Sequence, residues 1–301
     1  MMKIGMIGLG DIATKAYLPV VNQKNLEVHL FTRNKNKRKE VAGRYRFPHS
    51  HESMESLIQS GIKAAFVHTS TASHFEIVEQ LLQNNIHVYV DKPVTYDYES
   101  TRRLVAMAGK NGLILMGGFN RRFAPGYVQL SNLKDVNMII MQKNRKSLPG
   151  DVRTFVFDDF IHVIDTLLFL FQHDIEKVTV TGRKTKALLN HVVVQFDSPV
   201  GATAIGIMNR DSGTVEESIE IFTPSEKWVV RNLTETTIYK NGDSTRQAAD
   251  DWTSTLYKRG FDQVTDAFLQ RVISRTSPDQ LHREVLRTHE VCEEVVRQLL
   301  V

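Results

Sequence analysis

The sequence predicts an α/β protein: a doubly wound parallel sheet first, then an α+β domain on an open, mostly antiparallel sheet. Three observations carry that expectation. Residues 1–120 alternate short apolar runs with helical patterns, the sequence signature of a parallel sheet and its crossover helices. The pattern Gly8-Leu9-Gly10-Asp11-Ile12-Ala13 stands between the first apolar run and the first helix. Past Phe119, strand-like runs follow one another with little helix between them.

In order, the first domain reads as strand Ile4–Ile7, helix Ile12–Asn22 with Pro19 at its last turn or a kink, strand Leu26–Phe31, and helices Lys37–Tyr45 and Ser53–Ser60. Strand Ala64–His68 comes next. Phe75, Val78, Leu81 and Leu82 give Ser73–Gln83 a helical period. Strand Ile86–Val90, helix Tyr98–Lys110 stopped by Asn111-Gly112, and strand Leu113–Met116 complete the set. Right-handed crossovers place the helices on both faces. The second domain, 121–301, reads as strand Val136–Gln142 and a long apolar helix Asp159–Phe171. Strands Lys177–Thr181, His191–Phe196, Ala202–Met208, Ser218–Phe222, Lys227–Val230 and Thr236–Tyr239 follow. Helices Phe261–Ser274 and Pro278–Leu300 close the chain, and the boundary is expected near Asn120–Pro125. Val192, Val194 and Phe196 alternate; they are expected to face away from the helices and to bury against a second copy, as a homodimer or homotetramer.

A chain of 301 residues suits two domains, and 42% hydrophobic with 24% charged residues is an ordinary globular composition. No apolar run approaches the ~18 residues of a membrane helix, and the short apolar start suits a buried strand better than a signal peptide. The expected location is the cytoplasm, with no membrane partner. Cys292 stands alone, so no intrachain disulfide is possible, and it reads as a core residue. A net charge of +4 is no nucleic-acid signature. The basic run from Arg33 to Arg46 reads as a solvated helix face or, at its start, a phosphate contact, with a DNA patch the weakest reading.

The glycine pattern fits G-x-G-x-x-A in the strand–turn–helix context of a Rossmann domain. Gly8 permits the turn, Gly10 leaves room for a pyrophosphate, and Ala13 lets the helix pack closely. The amides of Asp11 and Ile12 open the helix, where free N–H groups attract phosphate. The second strand ends in Phe31-Thr32-Arg33-Asn34, with no carboxylate to take ribose hydroxyls. Thr32 and Asn34 can bond a 2′-phosphate and Arg33 can pair with it, which favours NADP(H) over NAD(H).

Asp158 and His162 are four residues apart and Asp165 three further, so one helix face carries all three. A carboxylate beside an imidazole raises its basicity and orients it as a general base. The same pattern also describes a core histidine satisfied by an aspartate or a weak metal-ligand set; no metal is assigned. Lys92 leaves a strand just before Pro93, where it can polarise a hydroxyl or carbonyl; a plain surface lysine is the alternative. His74 reads as a helix-start residue near the cofactor, His68 and His87 as structural. Asn120, Arg121 and Arg122 either contact cofactor or substrate or clamp the domains. Lys143 and Arg145 either bind an acidic substrate group or form an exposed strand end.

Three segments resemble the Gfo/Idh/MocA oxidoreductases. Val90-Asp91-Lys92-Pro93 is similar to that family's E-K-P signature, with Asp91 for Glu. Thr69-Ser70-Thr71-Ala72-Ser73-His74 is similar to its T-P-x-x-x-H, with Ser70 for Pro. Asp158-Asp159-Phe160-Ile161-His162 fits its D-x-x-x-H. The stretches FVHTSTASHF, VDKP, GFNRRFAP and DDFIHVIDT resemble its YceM- or MviM-like subgroup. The resemblance implies Lys92, Asp158 and His162 as catalytic residues and adds Thr69, Ser70, His74, Asp91 and Lys92 to the cofactor pocket. Asn120, Arg121, Lys143 and Arg145 join Asp158 and His162 as expected substrate contacts. It also implies a sugar, inositol or related polyol as substrate. The expectation is therefore hydride transfer on a secondary alcohol or carbonyl, against the alternative of a non-catalytic NADP-binding sensor.

Overall fold

Strands β1 (Met2–Ile7), β2 (Leu26–Phe31), β3 (His49–His51), β4 (Ala64–Val67), β5 (His87–Val90) and β6 (Leu115–Gly117) form an all-parallel sheet in the order β3-β2-β1-β4-β5-β6. The order reverses at β1, so the crevice between the carboxyl ends of β1 and β4 is a topological switch point, where ligands bind in such sheets. The central strand β4 is a continuous apolar run because helices cover both faces: Ala64, Ala65, Phe66 and Val67 are all fully buried. The first helix is one run over 11–21, wound as a π-helix at Ala13–Tyr17 before Leu18–Val21, with Pro19 in the first turn of the latter. Asp97 caps the helix Tyr98–Lys110 by accepting from the Ser100 amide.

The computed structural model describes residues 1–301 and divides into two compact units. The first comprises Met1–Gly118 with Phe261–His289, the second Phe119–Gly260 with Glu290–Val301. The expected domain of 121–301 is therefore split. The reason is aromatic packing. Phe268 meets the rings of Phe66 and Tyr89 at 5.1 and 5.6 Å, and Phe261 meets Tyr17 edge-on at 5.4 Å. That cluster finishes the core under the parallel sheet, so the helix Phe261–Ser274 belongs with it.

In the second unit, β7 (Met138–Asn144), β8 (Lys177–Thr185), β9 (Leu188–Asp197), β10 (Thr203–Asn209), β11 (Glu216–Phe222), β12 (Glu226–Arg231), β13 (Glu235–Lys240) and β14 (Asp243–Ala248) make an eight-stranded sheet. Its order is β14-β13-β12-β11-β7-β10-β9-β8, antiparallel except for the parallel pair β7–β10. The helix Ile161–Leu170 covers one face. A Cβ on Gly206 of β10 would meet Val163, Leu167 and Val194 at 2.8–2.9 Å, so the glycine seats the helix. Val192, Val194 and Phe196 are fully buried on this side, which corrects the expectation that they face away from the helices. The opposite parity carries Ile140, Val193, Ile205 and Ile207, all half-buried in cross-strand register. Strand β14, polar and exposed throughout, offered no alternation to read. Cys292 is buried, and burial pushes its thiol up. No helix is long and apolar enough to cross a membrane.

Phe268→Ala should lower stability by about 3–5 kcal/mol, the cost of emptying an aromatic core position. Urea unfolding midpoints of the variant and the parent measure it; an unchanged midpoint would mean that the Phe261–Ser274 helix does not close this core.

Candidate active site

The glycine turn follows directly from β1. Gly8 has φ +81°, and a Cβ there would lie 2.6 Å from the Thr69 nitrogen and 2.7 Å from the His68 carbonyl carbon. Only glycine lets the turns after β1 and β4 touch. A Cβ on Gly10 would meet nothing within 4 Å, so the space over the helix start is open. Asp11 is exposed and paired with Lys15, and the adjoining Ile12 is half-buried. At the end of β2, Arg33 is exposed, and Asn34 caps the next helix by accepting from the Lys37 amide. Arg38, part of the basic run expected as a solvated helix face, is instead buried; it donates to the Thr32 carbonyl at 2.9 Å and fixes that loop.

The Ser73 hydroxyl donates to Thr69 Oγ1 and the Ser70 carbonyl, folding Thr71–Ser73 into a tight turn. His74 is buried, with Nδ1 2.9 Å from the Pro93 carbonyl and Nε2 3.1 Å from the Thr69 carbonyl. Both nitrogens of this expected cofactor ligand are thus occupied by backbone, which makes it a brace between two loops. His289 supports the same turn: its Nε2 accepts from the Val94 amide at 3.0 Å while its Nδ1–H donates to the Val285 carbonyl. Burial holds His289 down at about 4, so it is the neutral tautomer this geometry needs. Lys92 and the cis-linked Pro93 therefore lie on a loop held from two sides. Asp91 Oδ1 accepts from the Lys92 amide, and burial raises its carboxyl above the usual range. Gly118 makes room for it, since a Cβ there would lie 3.1 Å from Asp91 Oδ1. Beneath the turn, the Tyr17 and Tyr89 hydroxyls bond at 2.6 Å and His68 stacks on Tyr17 at 4.1 Å.

In the second unit, Asp158 and Asp159 sit in the π-helical turn Val156–Phe160, and His162 and Asp165 in the helix that continues it. Asp158 and His162 are half-buried. Asp165 is buried and takes both Arg122 Nε and NH2 at 2.9–3.0 Å, which commits it to an internal pair. Asp159 gathers Lys143, Arg145 at 3.2 Å and Arg210 at 4.0 Å. Burial would raise its carboxyl, but Lys143 and then Arg145 hold it well below the usual range. Lys143 is only 2% exposed, which corrects the expected exposed strand end. It is pushed down to about 7, by burial first and Arg121 second, against the pull of Asp159 and Glu217. Arg121 is buried in a two-pronged pair with Glu217 at 2.7 and 2.6 Å, to which Tyr127 also donates. The amide of Asn120 donates to the Arg259 carbonyl at 2.8 Å. Asn120, Arg121 and Lys143, expected at the substrate, thus spend these donors inside their own unit.

Known proteins match this arrangement over its whole length. Residues 2–119 match the oxidoreductase family with NAD-binding Rossmann fold, Gfo/Idh/MocA, and residues 125–241 the YceM-like C-terminal domain. The YceM protein of Salmonella typhimurium is 31% identical over 304 residues, covering 99% of this chain and 98% of its own. The chain belongs to the Gfo/Idh/MocA oxidoreductase family. The solved dehydrogenase MviM of Clostridium difficile is 32% identical, covers 99% of each chain and has a TM-score of 0.93. Myo-inositol 2-dehydrogenase of Thermotoga maritima is 26% identical over 270 residues, 79% of this chain and 77% of its own.

Sequence reasoning on this Gfo/Idh/MocA oxidoreductase missed Arg38, Asp159, Arg210, Glu217 and His289. For Glu217 a signal existed. It shares strand parity with the buried Ile219 and Ile221, as Lys143 does with Ile139 and Met141, and the two are register partners. Charges on the inward parity of facing strands imply a buried ionic cluster.

Between about pH 7 and 10.5, unfolded Lys143 keeps a proton that the folded residue has released. Its contribution to stability therefore rises with pH across that window. Lys143→Met should flatten that rise in urea melts compared with the parent. Asp159→Asn, which strips the carboxylate from a buried cationic cluster, should cost about 3–5 kcal/mol. A parent-like pH slope in Lys143→Met would place the titration elsewhere.

Proposed function

We propose that this oxidoreductase transfers hydride between a nicotinamide dinucleotide, NADP(H) in preference to NAD(H), and a secondary alcohol or carbonyl of a sugar, inositol or related polyol. The glycine turn carries the reading. Gly8 pressed on Thr69, with open space at Gly10 before a helix start, fits a pyrophosphate against free amides. The residues that would hold the dinucleotide are Gly8, Gly10, Asp11 and Ile12 at the phosphates, Thr32, Arg33 and Asn34 at the ribose, and Thr69, Ser70, Asp91 and Lys92 towards the nicotinamide. The bound dinucleotide supplies the carbon that gives or takes hydride. His162 removes the hydroxyl proton and Asp158 orients the imidazole or bonds a second hydroxyl. Lys92 stabilises the charge that develops on the substrate oxygen. An exposed Arg33, with no carboxylate at the end of β2, supports the NADP preference. Arg145 remains the candidate for an acidic substrate group, because its side chain is 35% exposed beside Asp159. Likeness to the Thermotoga maritima inositol enzyme supports the polyol class. We assign the cytoplasm as the location.

Lys92→Ala and His162→Ala should each keep NADP affinity and lose turnover by ~100-fold or more, the contribution of a positioned acid or base. Asp158→Asn should lose more in rate than in cofactor affinity. Turnover near the parent in His162→Ala would sink the mechanism and favour the sensor reading. Arg33→Ala should weaken NADP by about 1–3 kcal/mol and leave NAD nearly unchanged; equal losses in calorimetry would remove Arg33 from the ribose.

We also propose a homodimer or homotetramer, packed through the sheet face that carries Ile140, Val193, Ile205 and Ile207. Light scattering should report the oligomer for the parent and a monomer for Ile205→Glu. A monomeric parent would end this reading.

A further inference from the structure

Glu27 and His29 alternate on β2, and His49 and His51 on β3. The parallel register sets His29 opposite His49 and Phe31 opposite His51, so the four side chains share one face at the sheet's edge. Glu27 Oε1 lies 3.0 Å from His29 Nε2 and 3.6 Å from His49 Nε2. All three ligand atoms lie within 4.8 Å of one another. Metal bonds of about 2.0–2.1 Å in tetrahedral geometry set ligand atoms roughly 3.3–3.4 Å apart, and the existing distances to Glu27 bracket that value.

The His29 and His49 rings stack at 4.5 Å and 9°, so the exposed His49 ring must turn to aim its Nε2 lone pair at an ion held by His29. The remaining bonds suit the same use. His29 is buried and its Nδ1 lies 2.9 Å from His51 Nε2, while His51 Nδ1 lies 2.9 Å from Ser56 Oγ. A ligating imidazole is normally oriented by such a bond from its other nitrogen. With an ion on Nε2, the His29 ring proton sits on Nδ1 and donates to His51. His49 is exposed, which leaves a solvent path for the ion and room for water. Lys3 Nζ, 3.5 Å from Glu27 Oε1, competes for the carboxylate, but its side chain is 42% exposed and can swing out.

We propose that Glu27, His29 and His49 bind one divalent transition-metal ion of the zinc class, with water completing the coordination. Two ligands come from β2 and one from β3, a three-residue strand whose sheet neighbour is β2. The ion thus pins the edge of the parallel sheet.

The test is zinc titration of the tag-free full chain by calorimetry, with cobalt as a coloured probe and thermal melts alongside. The expected result is one ion per chain, a higher melting temperature with zinc, and tetrahedral-type cobalt bands. His49→Ala removes an exposed ring and should keep the fold; Glu27→Gln is nearly isosteric. Each should weaken zinc by at least the ~10-fold that losing even an outer partner of a metal ligand costs, and abolish the melting shift. Absence of zinc uptake by the parent would overturn the proposal. So would parent-like zinc affinity in both variants, or binding abolished by His162→Ala and retained by His49→Ala.

Discussion

The Asp91–Val94 turn of the first unit depends on backbone hydrogen bonds made by two buried histidines. Asp91-Lys92-Pro93-Val94 leaves β5 without regular structure, so its polar groups need partners from outside. His74 faces the Pro93 carbonyl and His289 accepts from the Val94 amide. The rings come from helices far apart in sequence, and each sits within a packed interior that leaves it little freedom. Gly8 and Gly118 serve the same end by absence: a Cβ at either would press on the segments that flank the turn. Lys92 owes its place to this bracing more than to its neighbours in the chain.

The second unit keeps several charges under its sheet. Lys143, Asp159, Arg121 and Glu217 are all extensively buried, and they stand in two pairs, Arg121 with Glu217 and Lys143 with Asp159. Such pairs seldom add net stability over apolar residues of the same volume, but breaking one is costly. Their effect is positional. Asp159 ties the π-helical turn to β7, and Asp158 follows from that placement because it is the adjoining residue. The π-turn also alters the phase of the helix between Asp158 and His162, so their orientation is not that of a regular helical pair.

Several features were legible from sequence because they are local. The glycine turn, the helix Tyr98–Lys110 and the alternation of β9 and β10 announce themselves through neighbouring residues. The reading failed where the signal was split or silent. Strands β3 and β14 have no apolar alternation. The helix Phe261–Ser274 read correctly as a helix, but its apolar stripe could not say which core it completes. Lys143 looked like a strand end because its partner, Asp159, lies on a different element.

The sequence by itself determined the class of the longer helices and the apolar strands, the dinucleotide-type turn and the short list of chemical residues, since spacing along the chain sets which side chains share a helix or strand face. Tertiary structure alone decided which of these residues are braces and which keep accessible surface. His74, Asn120, Arg121 and Lys143 carry the same polar atoms as true ligands, and only burial and the partners at hand separate the two uses. It also brought Glu27 and His29 together with His49, because strand register joins positions that no chain spacing relates. Hydrogen bonds and ion pairs act over about 3 Å of space, and the chain fixes such distances only between near neighbours.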